Sequence, residues 1–140
     1  MQLSLRLMAI VLLVAAWPTQ SLAQEEQGSI ISIYRIAPGQ HEAFLQWMAD
    51  REATAQTAGL PASQWYVHTN GDSWDFLLIA PDLTDAQSEA VDAADTAAGL
   101  KIGAAGAVEL RQFVASHTDT FVAGPMTATE LLAAVREGGS

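Results

Sequence analysis

The chain has 140 residues, half of them hydrophobic, with no cysteine and with 16 acidic side chains against 6 basic ones, for a formal net charge of −10. The missing cysteines exclude disulfides, thiol catalysis and thiolate metal sites together. So acidic a surface repels phosphate backbones and anionic head groups, so neither nucleic acid nor a membrane surface is expected as a partner.

Residues 1–23 carry one charged side chain, Arg6, followed by an unbroken apolar run from Leu7 to Trp17. Pro18 ends the run, and Ser21-Leu22-Ala23 puts small residues at the −3 and −1 positions. That order is the pattern of a secretory signal peptide cleaved between Ala23 and Gln24, and the run is shorter than the roughly 20 residues a spanning helix needs. The expected product is exported, periplasmic or secreted, and free of the membrane after cleavage. Its remaining length, about 117 residues, suits one domain. The expected division is 1–23 signal peptide, 24–28 disordered tail and 29–137 a single domain.

"SIISIYRIAPG" reads as a strand closed by Pro38-Gly39. Both of its side-chain rows, Ile31, Ile33, Arg35 and Ile30, Ser32, Tyr34, Ile36, are largely apolar, so both faces are expected to be covered. A helix follows through about Gly59, with Phe44, Trp47, Met48, Ala55 and Ala58 on one stripe. Two aromatic and aliphatic runs then flank Asn70-Gly71, a hairpin signal with a loop of two or four residues. Trp65, Val67, Trp74, Phe76 and Leu78 share one face, and Tyr66, His68, Asp75, Leu77 and Ile79 the other. Thr84 and Gln87 form a capping box for a second helix to about Ala98, whose inner face is mostly alanine. A short helix is expected over 107–116, with Leu110, Phe113, Val114 and His117 on one stripe. "TDTFVAG" reads as the last strand, and Thr127 with Glu130 caps a final short helix.

Strand, helix, strand, strand, helix, strand is the order of an α+β, ferredoxin-like split βαβ sheet with helices on one face. The second apolar row of the first strand then calls for a cover, and a second subunit is the economical one. "IYRIAPGQHEAFLQWM" resembles the opening of the dimeric α+β barrel superfamily, which includes antibiotic-biosynthesis-monooxygenase-like and NIPSNAP-like proteins. The resemblance implies a homodimer. It also implies a setting in which cofactor-free oxygenases, haem-degrading enzymes, and isomerases or lyases of small organic molecules occur. No residue set selects one branch, so no catalytic residue is carried over.

The polar candidates are few. His68, Asp75 and Tyr66 share a sheet face, where a carboxylate beside an imidazole fixes its tautomer and raises its basicity. The plainer account is a cross-strand surface pair. His117 and Asp119 read either as pocket residues or as a helix-to-strand junction in which each satisfies backbone groups. His41, in a first helical turn, reads as solvent-facing, and Asp92 with Asp95 as surface charge. Trp47, Trp65 and Trp74 suit a core or the wall of a pocket for a flat ligand. No spacing marks a metal site. No cofactor is assigned, with haem and flavin left open. The expected function is an exported small-ligand-binding or sensory module. The alternatives are a cofactor-free oxygenase or isomerase using His68 or His117 as proton acceptor, and a dimeric interaction protein without a ligand.

Overall fold

The computed structural model describes residues 28–138. The leader read in 1–23 lies outside them, as does the expected tail apart from Gly28. In chain order the elements are β1 (Ser29–Ile36), α1 (His41–Thr57), β2 (Gln64–Val67), β3 (Phe76–Pro81), α2 (Asp85–Ala97), α3 (Gly103–Leu110), β4 (Val114–Val122) and α4 (Ala128–Gly138). The four strands form one antiparallel sheet in the order β2-β3-β1-β4. This is the α+β ferredoxin-like arrangement that the element order implies.

Register sorts the side chains. Tyr34 faces Phe76 on one side and His117 on the other, and Ser32 faces Leu78 and Asp119. This row meets the helices. Phe44 of α1 is fully buried at 0 % exposure, its ring 5.0 Å from Tyr34, 5.9 Å from Phe76 and 6.2 Å from Trp65. Ile36 and Leu78 complete the buried core, with Met48, Leu110 and Phe113 packed against it. The other row aligns Tyr66, Leu77, Ile33 and Thr118 across the four strands, with Gln64, Ile79, Ile31 and Thr120 beside them. Ile33 is 37 % and Tyr66 49 % exposed. The first strand therefore has two apolar rows, but within this chain only one carries the core.

Three expectations are corrected. The helix expected over 107–116 is α3, which ends at Leu110, and the strand begins at Val114. A turn at 111–113 separates them: Phe113 N–H donates to the Leu110 carbonyl, and the Phe113 carbonyl accepts from Ala37 N–H. Leu110 and Phe113 look like a helical stripe because both enter the core from either side of that turn. The hairpin loop is longer than two or four residues, although Val67 opposite Phe76 is the pairing that a four-residue loop would give. Gly71, at φ +114°, supplies the left-handed backbone that this loop needs. The alternation also stops at β3's first residue, Phe76, so Trp74 leaves the face of Phe76 and joins Ile33, Arg35 and Thr118 on the opposite one.

The second helix keeps its capping box, Thr84 to Gln87. Its alanines are not what holds it. Asp95, expected on a solvated face, is 4 % exposed and accepts from Arg51 Nη1 of α1 at 2.8 Å and from the Thr54 hydroxyl. A buried ion pair joins α1 to α2. At the far end of the chain, α4 buries none of its residues.

Candidate functional site

An apolar cleft of about 270 Å³ opens where α1, α2 and the β2–β3 hairpin meet. Met48 and Ala55 come from α1, Val91 from α2, Trp65, Leu78 and Ala80 from the sheet, and Leu60, Pro61 and Leu83 from the connecting segments. The walls exist because α2 is short of large side chains, so the two helices meet through their polar clasp and leave an apolar gap below it. Arg51, Glu52, Ser63 and Asp95 are the polar members. Each charge is already engaged: Arg51 by Asp95 and by the Lys101 carbonyl at 2.6 Å, and Glu52 by the Ser63 N–H at 2.8 Å. The Arg51 guanidinium also lies 4.1 Å from the Trp47 ring centre. Its Nε has no hydrogen-bond partner among the described residues, and the π face of Trp47 offers the compensation. Trp47 in turn donates to Glu109, which also binds Lys101 Nζ at 2.8 Å. The Lys101 bond, foremost, and the Trp47 bond hold the Glu109 carboxyl below its ordinary pKa.

The candidates named from sequence do not converge on this cleft. His68 and Asp75 are joined through their backbones, His68 N–H to the Asp75 carbonyl at 3.0 Å, but their side chains part. The His68 ring packs on Trp74 at 4.9 Å, with Nε2 enclosed and without a hydrogen-bond partner among the described residues. The Asp75 carboxylate accepts from Ile36 N–H at 2.6 Å and lies 3.2 Å from His41 Nε2. The reason is the early end of the strand: past Phe76 the backbone bends, and Asp75 reaches over the edge to the start of α1. His41, read as solvent-facing, is half exposed and is the imidazole that Asp75 meets. Tyr66 lies on the helix-free face, its hydroxyl near Gln64 at 3.2 Å. His117 sits in mid-strand, stacked 5.9 Å from Tyr34 and 3.5 Å from Asp119, so it is no helix-end residue. A second, smaller concavity of about 200 Å³ on the helix-free side is bordered by Arg35, Asp72, Trp74 and His117. Among the described residues no three His, Asp or Glu side chains gather as a metal set.

The Asp75 clasp makes a prediction about acid. The Ile36 N–H, foremost, and His41 with Arg35 behind it, hold the Asp75 carboxyl below its ordinary value. A folded-state pKa below the unfolded one gives stability that is complete at neutral pH. That stability is lost as the pH falls below the unfolded value of about 3.9 and through the folded one. Asp75→Asn should therefore flatten the acid limb of a urea-midpoint profile between about pH 5 and 2. An unchanged acid limb would mean the clasp contributes nothing.

No family model matches the chain, and no curated protein matches it. Similar solved structures include a dimeric protein of unknown function and ferredoxin-like fold from Bacteroides fragilis, at 16 % identity over 71 % of this chain and 98 % of that one, with a TM-score of 0.44. Another is a dimeric ferredoxin-like protein from an uncultured marine organism, at 13 % identity over 73 % and 91 % of the two chains and a TM-score of 0.44. A third, from Chloroflexus aurantiacus, is named for antibiotic biosynthesis monooxygenase, at 16 % identity over 72 % and 97 % and a TM-score of 0.38.

Proposed function

We propose that this chain is an exported small-ligand-binding module that self-associates through its helix-free face, and that its ligand occupies the cleft between α1, α2 and the β2–β3 hairpin. The observation that carries the ligand is the cleft's lining, apolar throughout its aliphatic and aromatic wall and with every charge already paired. A charged ligand would find no free partner and would lose its hydration. A neutral apolar one gains by burial. A volume of about 270 Å³ exceeds the roughly 150 Å³ that admits benzene and falls just under the range of about 300–1,000 Å³ for drug-sized sites. The ligand class is therefore a neutral molecule of one or two rings, or a branched aliphatic of that bulk. Export rests on the order of residues 1–23, and self-association on the apolar row that this chain leaves open.

One experiment covers both the leader and the cleft. The full chain is expressed with its leader, and the exported product is weighed intact and titrated by calorimetry with indole, naphthalene and benzoate. The expected product begins at Gln24, and recovery of chain starting at Met1 would remove the export reading. Indole and naphthalene are expected to bind with one site per chain, benzoate not, and Ala55→Phe, which fills the cleft, to abolish the heat. Benzoate binding better than indole, or binding unaltered in Ala55→Phe, would remove the ligand reading.

A further inference from the structure

We propose that β4 is the seam at which a second copy of this chain joins the sheet, the two β4 strands running antiparallel about Thr118. This rests on the self-association proposed above and names the line along which it occurs.

Among the described residues neither edge strand of the sheet has a second strand partner, and the two edges are not alike. The β2 edge is four residues long, and the β4 edge nine. A long open edge presents unpaired N–H and C=O groups and is ordinarily guarded by lysine, proline, a mid-strand bulge or an inward charge. Val114–Val122 reads VASHTDTFV and holds neither lysine nor proline. Its one register shift lies at its start, opposite Arg35 and Ile36. Only Asp119 remains as a guard, and His117 two residues before it converts the guard into half of a match.

The backbone directions select the register. Tyr34 C=O accepts from Asp75 N–H, so Tyr34 turns its polar groups toward β3. The alternation then turns those of Ile31, Ile33 and Arg35 toward their β4 partners Thr120, Thr118 and Ser116. The groups left at the open edge belong to His117, Asp119 and Phe121. Two-fold antiparallel pairing can then centre on any residue from 116 to 120, and centring on 116 or 120 leaves His117 and Asp119 without each other as partners. Centring on 117 sets His117 against itself without a carboxylate partner, and centring on 119 sets Asp119 against itself, two like charges that oppose the pairing. Centring on 118 sets each His117 against the second copy's Asp119, twice over. It also sets Phe121, 71 % exposed in this chain, opposite the small Ala115. In a chain with 16 acidic side chains and 6 basic, such local complementarity is what lets two copies approach. An antiparallel pair keeps the two helix-free faces on the same side of the joined sheet, so the sheet's own twist and coiling turns them toward each other.

At the centre Thr118 meets its own copy as a pair without hydrogen bonds. The Cα separation there is about 4.5 Å, within the range a disulfide accepts. The chain has no cysteine of its own, so single substitutions report cleanly. The unaltered protein is sedimented at micromolar concentration. Thr118→Cys, Ser116→Cys and Thr120→Cys are each oxidised and run without reductant. The expected result is a dimer in sedimentation, near-complete covalent dimer for Thr118→Cys, and at least tenfold less for the other two. His117→Asp should weaken the dimer at least tenfold, and the swap His117→Asp/Asp119→His should restore it. A sedimenting dimer in which Thr118→Cys fails to link, or in which all three variants link alike, overturns the seam and leaves self-association standing. A monomer overturns both.

Discussion

Phe44→Ala is expected to cost about 3–5 kcal/mol, the usual loss on emptying a buried aromatic position. The typical net stability of a domain is only about 5–15 kcal/mol, so the variant should be largely unfolded at 37 °C or close to it. The size of the effect follows from position. Phe44 is at 0 % exposure and is the one side chain whose ring meets Tyr34, Phe76 and Trp65 together. It fastens α1 to three strands at once. The buried core around it numbers few large residues, so little can move in to fill the gap. Leu45, its neighbour on the exposed side of the same helix, is the control and should change stability by about 0.5 kcal/mol or less. Urea denaturation of both variants reads the difference. A Phe44→Ala loss no larger than that of Leu45→Ala would show that the aromatic cluster is not the core.

The second large effect belongs to the polar clasp. Asp95→Ala should cost about 3–5 kcal/mol, because it leaves the Arg51 guanidinium in place with its principal partner gone. The arginine side chain is about one-fifth exposed and the aspartate 5 %, so water can solvate the stranded charge only in part. The Lys101 carbonyl, held by Arg51 Nη2, would loosen with it and carry the start of α3 along. The pair itself is worth much less than its breakage. Replacing both members by apolar residues of similar bulk, Arg51→Met with Asp95→Leu, should recover most of the loss. Asp92, exposed on the same helix, is the control. A double-mutant cycle in urea gives the coupling directly. If Asp95→Ala and Asp92→Ala cost the same, α2 is held by its few apolar contacts alone.

This clasp also marks the limit of what the residues disclose in order. Asn70-Gly71, the Pro38-Gly39 stop and the Thr84–Gln87 capping box are local devices. Each acts within a few residues, and so each is legible in the chain. The ferredoxin-like order follows from them. Arg51 and Asp95 are 44 positions apart, and a lone arginine or aspartate on a helix reads as solvent-facing because most are. The imidazole that Asp75 meets is equally remote, His41 lying 34 positions before it. Extending the β3 alternation two residues too far places Asp75 with His68. The real strand starts at Phe76, and a carboxylate just outside it is free to turn to Ile36 and His41. The start of β4 was hidden because Leu110 and Phe113 carry helical spacing across a turn that only the Ala37 hydrogen bond reveals. The cleft has no signature of its own. It is the space left when an alanine-rich helix is held away from the sheet by a distant ion pair.

The placing of β1 has a consequence for how the chain comes into being. This strand is the first of the described elements and lies inside the sheet, between β3 and β4. Its partner Val122 follows Ser29 by 93 positions. Pairings of such long sequence separation must close a large loop before any contact rewards it, and they fold slowly. During synthesis at about 5–20 residues per second, β1 emerges many seconds before β4 and waits with one side unpaired. Helix α1 can form early beside it, but the sheet cannot close until β4 has been made. Until then the polypeptide keeps an unpaired strand side that a holding chaperone can grip.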